Sequence, residues 1–337
     1  MRKLYNLNLP WFSLIRTTIH LRSLKIKKIV KIVLPLAIGA FLVWYSLSDI
    51  SLKILGTYFK EANYSFILLG LFFGILSHLS RAYRWKFMLA PLGFKPKFTN
   101  SVLAVLVGYL VNLAIPRAGE VSRALVLTNY EEVPFEKGFG TIVAERIADL
   151  IMMLFVVLIT LFVQFDFIYN LLISNFNPLK ISIALAVLGI GSYVLTTLVK
   201  KAKSGFLLKI KTFVSGLVEG VTSIFKMKNK WAFIFHTVFI WSMYIAMFWA
   251  TIPAIDGLSV PLGGILIGFI AGGFSIAATN GGVGLYPIAV ASALALFDIP
   301  AETATAFGWI MWTAQTAMIV VFGGFAFLFL PIFNKNK

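Results

Sequence analysis

The segment FTNSVLAVLVGYLVNLAIPRAGEVSRALVLT, residues 98–128, decides how this chain folds. Phe98 to Ile115 is an apolar run close to the about 20 residues that cross a bilayer as a helix. It stops at Pro116, which lacks an amide proton and breaks a helix. Gly119 follows, a residue that permits a tight turn or close backbone approach. Arg117, Glu120 and Arg123 stand around them. If the run crossed completely, the lysine-rich residues 200–230 would fall outside the cell, against the preference of cytoplasmic loops for Lys and Arg. A re-entrant hairpin over 98–128, dipping in from the cytoplasm, removes that conflict. Such backbone is tolerated at membrane depth only where protein or a wet cavity covers it.

Working outward, further apolar runs occupy Ile29–Leu47, Tyr64–Leu79, Phe139–Phe165, Leu179–Val199, Trp231–Ala254, Pro261–Ala278, Val283–Phe297 and Phe307–Leu330. Residues 261–297 fit either two short spans or a second hairpin entering from outside. Two hairpins from opposite faces would be the pattern of an inverted-repeat transporter, although no internal sequence repeat is visible. The expected fold class is all-α: a polytopic helical membrane protein with about 8 membrane segments, one or two of them re-entrant hairpins. Residues 1–28 read as a basic cytoplasmic segment leading into an uncleaved signal anchor. Residues 29–331 form the transmembrane domain, and 332–337 a cytoplasmic tail. The 200–230 linker, with Phe206, Leu207, Ile210, Phe213, Val214 and Leu217 on one side, reads as an amphipathic helix on the inner leaflet. Both termini are expected in the cytoplasm, and the membrane is expected to be a bacterial cytoplasmic (inner) membrane.

Composition agrees with this plan. Of 337 residues, 59% are hydrophobic and 13% charged, and mean hydropathy is +0.90, too apolar for a soluble surface. The formal charge of +17 sits beside apolar runs, which favours membrane topology and anionic lipid over nucleic acid. The absence of cysteine excludes disulfides and thiolate metal sites. His20, His78 and His236 are far apart, so no metal motif is visible and no cofactor is expected. A Gly-rich nucleotide loop is also absent.

Charges inside apolar runs carry the functional signal, because each costs about 2.5–3.5 kcal/mol at mid-bilayer even on a lenient scale. Asn112, Arg117, Glu120 and Arg123 form one cluster. The last three are spaced to stack along one side of a restarting helix, where exposed amides add an anion-binding end. Glu145, Arg146 and Asp149 form a second cluster within 139–165 and need internal partners; Arg117 and Arg123 are the candidates. Arg81, Arg84 and Trp85, at the end of the second run, read first as interfacial anchors and second as members of the site. Asn280, Gly281, Gly282 and Gly284 read as an unwound junction that could approach a ligand closely.

The order Asn112…Pro116-Arg117-Ala-Gly119-Glu120…Arg123, then Glu145-Arg146…Asp149, resembles the signature of the lysylphosphatidylglycerol synthase transmembrane region family, flippase-like proteins that include the membrane part of the multiple peptide resistance factor. Arg84-Trp85 and Gly281-Gly282-Val-Gly284 fall where that family has its other motifs. The resemblance covers the chain from about the first span to the last. It departs near the C-terminal end, where Asn280 stands for a usual proline and Pro287 for a usual acid, which weakens any proton-coupling role there. A soluble aminoacyl-transferase domain is not expected.

The resemblance implies a lipid transporter of flippase type rather than an enzyme, binding an anionic headgroup of a phospholipid, glycolipid or polyprenyl-linked lipid. In that reading Arg117 and Arg123 bind the headgroup, Glu120, Glu145 and Asp149 tune them, and Arg146 closes the network. The alternatives are a lipid-modifying enzyme using Glu145 or Asp149 as base, and an accessory protein of envelope glycolipid synthesis. Expected partners are membrane lipids, with no nucleic acid, and a second copy of the chain or an envelope-lipid biosynthesis protein.

Overall fold

The computed structural model describes residues 37–335 apart from 49, 116, 176, 213–214, 216–223 and 225–226. The expected basic segment 1–28, residues 213–214, 216–223 and 225–226 of the amphipathic linker, and residues 336–337 lie outside the described residues. Every described element is a helix. Helix α1 is Ala37–Ser46, α2 is Leu52–Glu61 and α3 is Tyr64–Leu89. Next come α4 (Phe98–Ala114), α5 (Ala118–Glu131), α6 (Phe135–Val163), α7 (Phe165–Asn175) and α8 (Pro178–Lys201). Residues 205–212 are helical (α9). The chain ends with α10 (Lys230–Thr251), α11 (Leu262–Ala278), α12 (Leu285–Ala295) and α13 (Ala301–Phe333). Local chemistry sets several starts. The Asn63 side chain accepts from the Ser65 amide to open α3, and Asn177 does the same for α8 at Leu179, each replacing a partner the first turn lacks.

Among the described residues, five helices are long and apolar enough to cross a membrane: α3, α6, α8, α10 and α13. The chain is thus a polytopic helical membrane protein. Helices α4 and α5 pack against each other, as do α11 and α12. At 17 residues, α4 and α11 each reach only about 25 Å, short of the about 30 Å of a hydrocarbon core. Their partners α5 and α12, of 14 and 11 residues, are shorter still, so each pair reads as a hairpin that turns back at depth.

The order span–hairpin–span occurs twice, as α3–(α4–α5)–α6 and α10–(α11–α12)–α13. The two lead spans run antiparallel. Gly70 lies against Met247 and Thr251 at one end of the pair, and Arg84 reaches Thr237 at the other. The hairpins consequently enter from opposite ends, and their tips meet: Asn280 Nδ2 donates to the Leu113 carbonyl at 2.7 Å. Helix α13 runs past both hairpins. Gly308 sits on Pro287 of α12, and Gly323 on Leu106 and Leu110 of α4. Helix α6 does likewise, pairing with Arg123 of α5 and then with Gly273 and Gly263 of α11. The base of the first hairpin lies at the lysine-rich end of the bundle, beside Lys86, Lys95, Lys97, Lys137 and Lys335.

Three differences from the sequence expectation have physical causes. Helix α3 does not stop near Leu79 but continues to Leu89, because its polar residues there are covered by α6 and α10 rather than by water. Helices α2 and α7, too short to span, fall between the apolar runs. Arg117 does not join a helical stack with Glu120 and Arg123. It precedes α5 in a left-handed conformation, φ 61°.

Candidate buried charge network

Because α3 continues inward, Arg81 and Arg84 are carried into the bundle, on the face that meets α6. Facing them, Glu145 and Asp149 are four residues apart and share one side of α6. Arg81 Nη1 pairs with Glu145 Oε1 and with Asp149 Oδ2 at 2.7 Å. Arg84 Nη2 reaches Asp149 Oδ1 at 3.1 Å and Glu145 Oε1 at 3.5 Å; its Nη1 donates to Thr237 Oγ1 of α10 at 2.8 Å. Arg123 comes from the hairpin and grips Glu145 with both terminal nitrogens, at 3.2 and 3.1 Å. One carboxylate thus joins α3, α5 and α6.

Burial of this kind needs opposite charges in contact, since an isolated charge in a low-dielectric interior costs several kcal/mol. The side chains of Arg84 and Glu145 are both 0% exposed. Aromatic faces cover the cations: the Arg123 guanidinium lies 4.4 Å from the Trp85 ring, and that of Arg84 5.2 Å from Phe233. Trp85 Nε1 donates to Thr141 Oγ1 at 2.8 Å. Arg81 and Trp85 are therefore not interfacial anchors, nor is Arg84. They face the protein interior, where the sequence context gave no sign of partners tens of residues away.

The network opens on one side. Arg146 has a side chain 42% exposed and approaches Glu120 Oε1 and Asp149 Oδ2 at 3.6 Å and Glu145 Oε1 at 3.7 Å. Those are ion-pair distances without a hydrogen bond, so its donors stay available. Glu120 is partly exposed and receives the Asn112 amide at 3.4 Å. Asn112 Oδ1 accepts from the Gly119 amide at 2.7 Å, closing the turn between the two hairpin helices. Gly119 also packs directly on Gly108 of α4, an approach that a side chain would block. Arg117 is exposed at the tip and makes no ion pair among the described residues. Four arginines meet three carboxylates here, which leaves one positive charge in excess.

Sequence reading did not pick out Tyr109, Tyr244 or Thr237. Arg81 Nη2 donates to the Tyr244 hydroxyl at 3.3 Å, and the Tyr109 and Tyr244 hydroxyls are 3.3 Å apart. Hydroxyls in apolar spans that face internal charges were the available signal. Asn280 and the turn Gly281, Gly282 and Gly284 lie outside the network. All three glycines have positive φ, the region glycine tolerates, and Trp312 Nε1 donates to the Gly281 carbonyl at 2.8 Å. Among the described residues no three His, Asp or Glu side chains come together as a metal-binding group.

Comparison with known proteins places this arrangement. The lysylphosphatidylglycerol synthase TM region profile matches residues 32–324. A UPF0104 membrane protein of Methanocaldococcus jannaschii is 36% identical over 106 residues, which is 31% of this chain and 31% of that protein. The aligned part thus spans about a third of that relative. No solved structure gives a match.

Proposed function

The chain belongs to the lysylphosphatidylglycerol synthase TM region family, and from that premise we propose that it is a lipid transporter of flippase type that receives an anionic headgroup at the open side of the buried charge network. The observation that carries this reading is the contrast among the arginines. Arg81, Arg84 and Arg123 are committed to Glu145 and Asp149, whereas Arg146 is half-exposed and has no hydrogen bond among the described residues. A phosphate oxygen can take the free guanidinium donors in the paired geometry that arginine favours. Arg117, three residues before Glu120 at the tip of the first hairpin, is a further exposed cation. The committed arginines hold the cavity's shape, and Glu120 keeps Arg146 in place between ligands.

A charged headgroup cannot cross hydrocarbon unaided, so an internal polar surface at membrane depth supplies the path. The hairpin plan supports it too, since discontinuous helices meeting near mid-membrane are typical of transporter sites. The positive-inside rule sets the lysine-rich end in the cytoplasm, so this headgroup site faces the inner leaflet. A bacterial cytoplasmic membrane is the expected setting.

Reconstitution tests the reading. Liposomes containing the purified chain should move fluorescent phosphatidylglycerol between leaflets faster than empty liposomes, and Arg146→Gln should lose most of that gain while remaining folded. Equal movement by Arg146→Gln and the parent would overturn the assignment. Chemical conversion of the lipid without movement would show a lipid-modifying enzyme instead.

A further inference from the structure

Next to the charge network, helices α3, α4 and α13 leave a cleft of about 220 Å³. Its wall is almost wholly apolar: Leu79 comes from α3, Leu106 from α4, and Met318 and Phe322 from α13, each recurring on the helical period that faces the gap. That volume is many times what one water needs, yet ordered water requires several polar partners. The wall supplies two polar side chains, His78 and Tyr109. Their rings pack at 4.5 Å between centroids, and the Tyr109 hydroxyl is turned to Tyr244 in the network. His78 is different. It is 8% exposed, and neither Nδ1 nor Nε2 has a hydrogen-bond partner among the described residues. A buried donor left unpaired keeps its full desolvation penalty.

We infer that this cleft seats one hydrocarbon chain of a membrane lipid, with an oxygen of the glycerol linkage accepting a hydrogen bond from His78. The occupant follows from position. His78 lies fourteen residues into α3, whose 26 residues span about 39 Å, so the cleft is at hydrocarbon depth, where an empty apolar groove forfeits dispersion contacts on one side. Lipid chains are the material at hand to fill it. The polar end fits as well. His78 precedes Arg81 by one helical turn, about 4.5 Å along the axis, and a phosphate and its glycerol-linkage oxygens are separated by a few bonds. A lipid whose phosphate stands at the level of the arginines therefore presents an ester or ether oxygen at the level of the imidazole. This inference rests on the transport reading only in taking the occupant to be the same lipid that the charge network receives.

The test is photolabelling of the full chain in nanodiscs of phosphatidylethanolamine and phosphatidylglycerol, a fraction of the latter carrying a diazirine close to the glycerol end of one chain. Mass-spectrometric mapping should find adducts on Leu79, Leu106 and Phe322 severalfold above Val187 and Leu188 of α8, which are exposed on the outside of the bundle. Leu106→Trp fills the cleft and should bring its labelling down to the α8 level. Phe322→Trp, at the half-exposed rim, does the same should Leu106→Trp fail to fold. His78→Leu keeps the shape but removes the donor, and should lower cleft labelling severalfold. Cleft labelling no higher than α8, or unchanged by the filling variants, overturns the chain seat; unchanged labelling in His78→Leu overturns the role of the imidazole. Selective labelling in a protein that moves no lipid in liposomes would leave the cleft assigned and overturn the transport reading alone.

Discussion

The two span–hairpin–span units share a plan and differ in what they bury. The first, α3 to α6, encloses three arginines and two carboxylates with almost no exposure. The second, α10 to α13, has Lys230 at its start and Asp256, Asp298 and Glu302 in or beside its turns, with no charge in the interior of its helices. Its hairpin is held by close contact: Gly272 under the Tyr286 ring, Gly308 on Pro287, and Gly284 against the α1 backbone. Polar contacts there are sparse and neutral, such as Trp312 to the Gly281 carbonyl and Gln315 to the Tyr286 hydroxyl at 3.3 Å. One backbone scheme thus solves the same burial problem by ion pairing and by small-residue packing. The difference teaches where chemistry can occur: a packed glycine seam has no free donors, while a charged network with one surplus cation does.

The largest test of that contrast is Glu145→Gln. It removes the carboxylate shared by Arg81, Arg84 and Arg123 and leaves three buried guanidinium groups facing Asp149. Breaking a buried pair from one side costs about 3–5 kcal/mol, so thermal unfolding in detergent should show a destabilisation of that order. A variant as stable as the parent would mean the first unit does not depend on its charges. Gly308→Ala probes the second unit by its own means. The new Cβ would stand 2.8 Å from the Pro287 Cα, a backbone atom that cannot turn aside, so overpacking should cost about 1–3 kcal/mol. If Gly308→Ala proved neutral, close packing would not be what replaces charge in this unit.

Where the units touch, the expected effect is smaller. Asn280→Ala removes the amide that caps the Leu113 carbonyl, one of the helix-end acceptors without an intrahelical partner. The net loss for one hydrogen bond is about 0.5–1.5 kcal/mol. Faster amide exchange at both tips in Asn280→Ala, with the rest of the bundle unchanged, would identify the tips as one local unit. Exchange confined to one tip would separate them.

Sequence alone carried the first hairpin, and for a physical reason: the positive-inside rule couples distant loops, so the lysines at 200–230 constrained residues 98–128. The twofold order was one of two options for residues 261–297 and left no repeat in the sequence, because the units share helix order and directions but not residues; Arg81, Glu145 and Asp149 have no charged counterparts in the interiors of α10 or α13. Glu145, Asp149 and Arg123 could be picked out because charge in an apolar run is conspicuous. Arg123 was a named candidate partner for the two acids, and it pairs with Glu145; the pairing of Arg81 and Arg84 with both acids was not legible in the sequence. Hydropathy marks where a run turns polar, near Leu79, and says nothing of whether the helix continues to Leu89 under cover of other helices. Pairing across α3 and α6 depends on tertiary approach, and no local spacing reports it. That Arg123 is buried against Glu145 while Arg146 is half-exposed was likewise visible only in the geometry, since both are simply arginines beside acids in the sequence.

Arg146→Gln should be the mildest of these changes in stability and the most telling in function. Its ion pairs are long and its side chain is 42% exposed, and exposed pairs contribute about 0–1 kcal/mol. Unfolding should therefore shift little, while transbilayer movement of phosphatidylglycerol drops and that of a zwitterionic lipid changes less. That separation distinguishes a ligand-facing cation from a structural one, because Arg84→Gln, which also strips one charge from the network, should lose stability and transport together. If Arg146→Gln unfolded as readily as Arg84→Gln, the open side of the network would be structural like the rest. The surplus positive charge would then have no ligand to explain it.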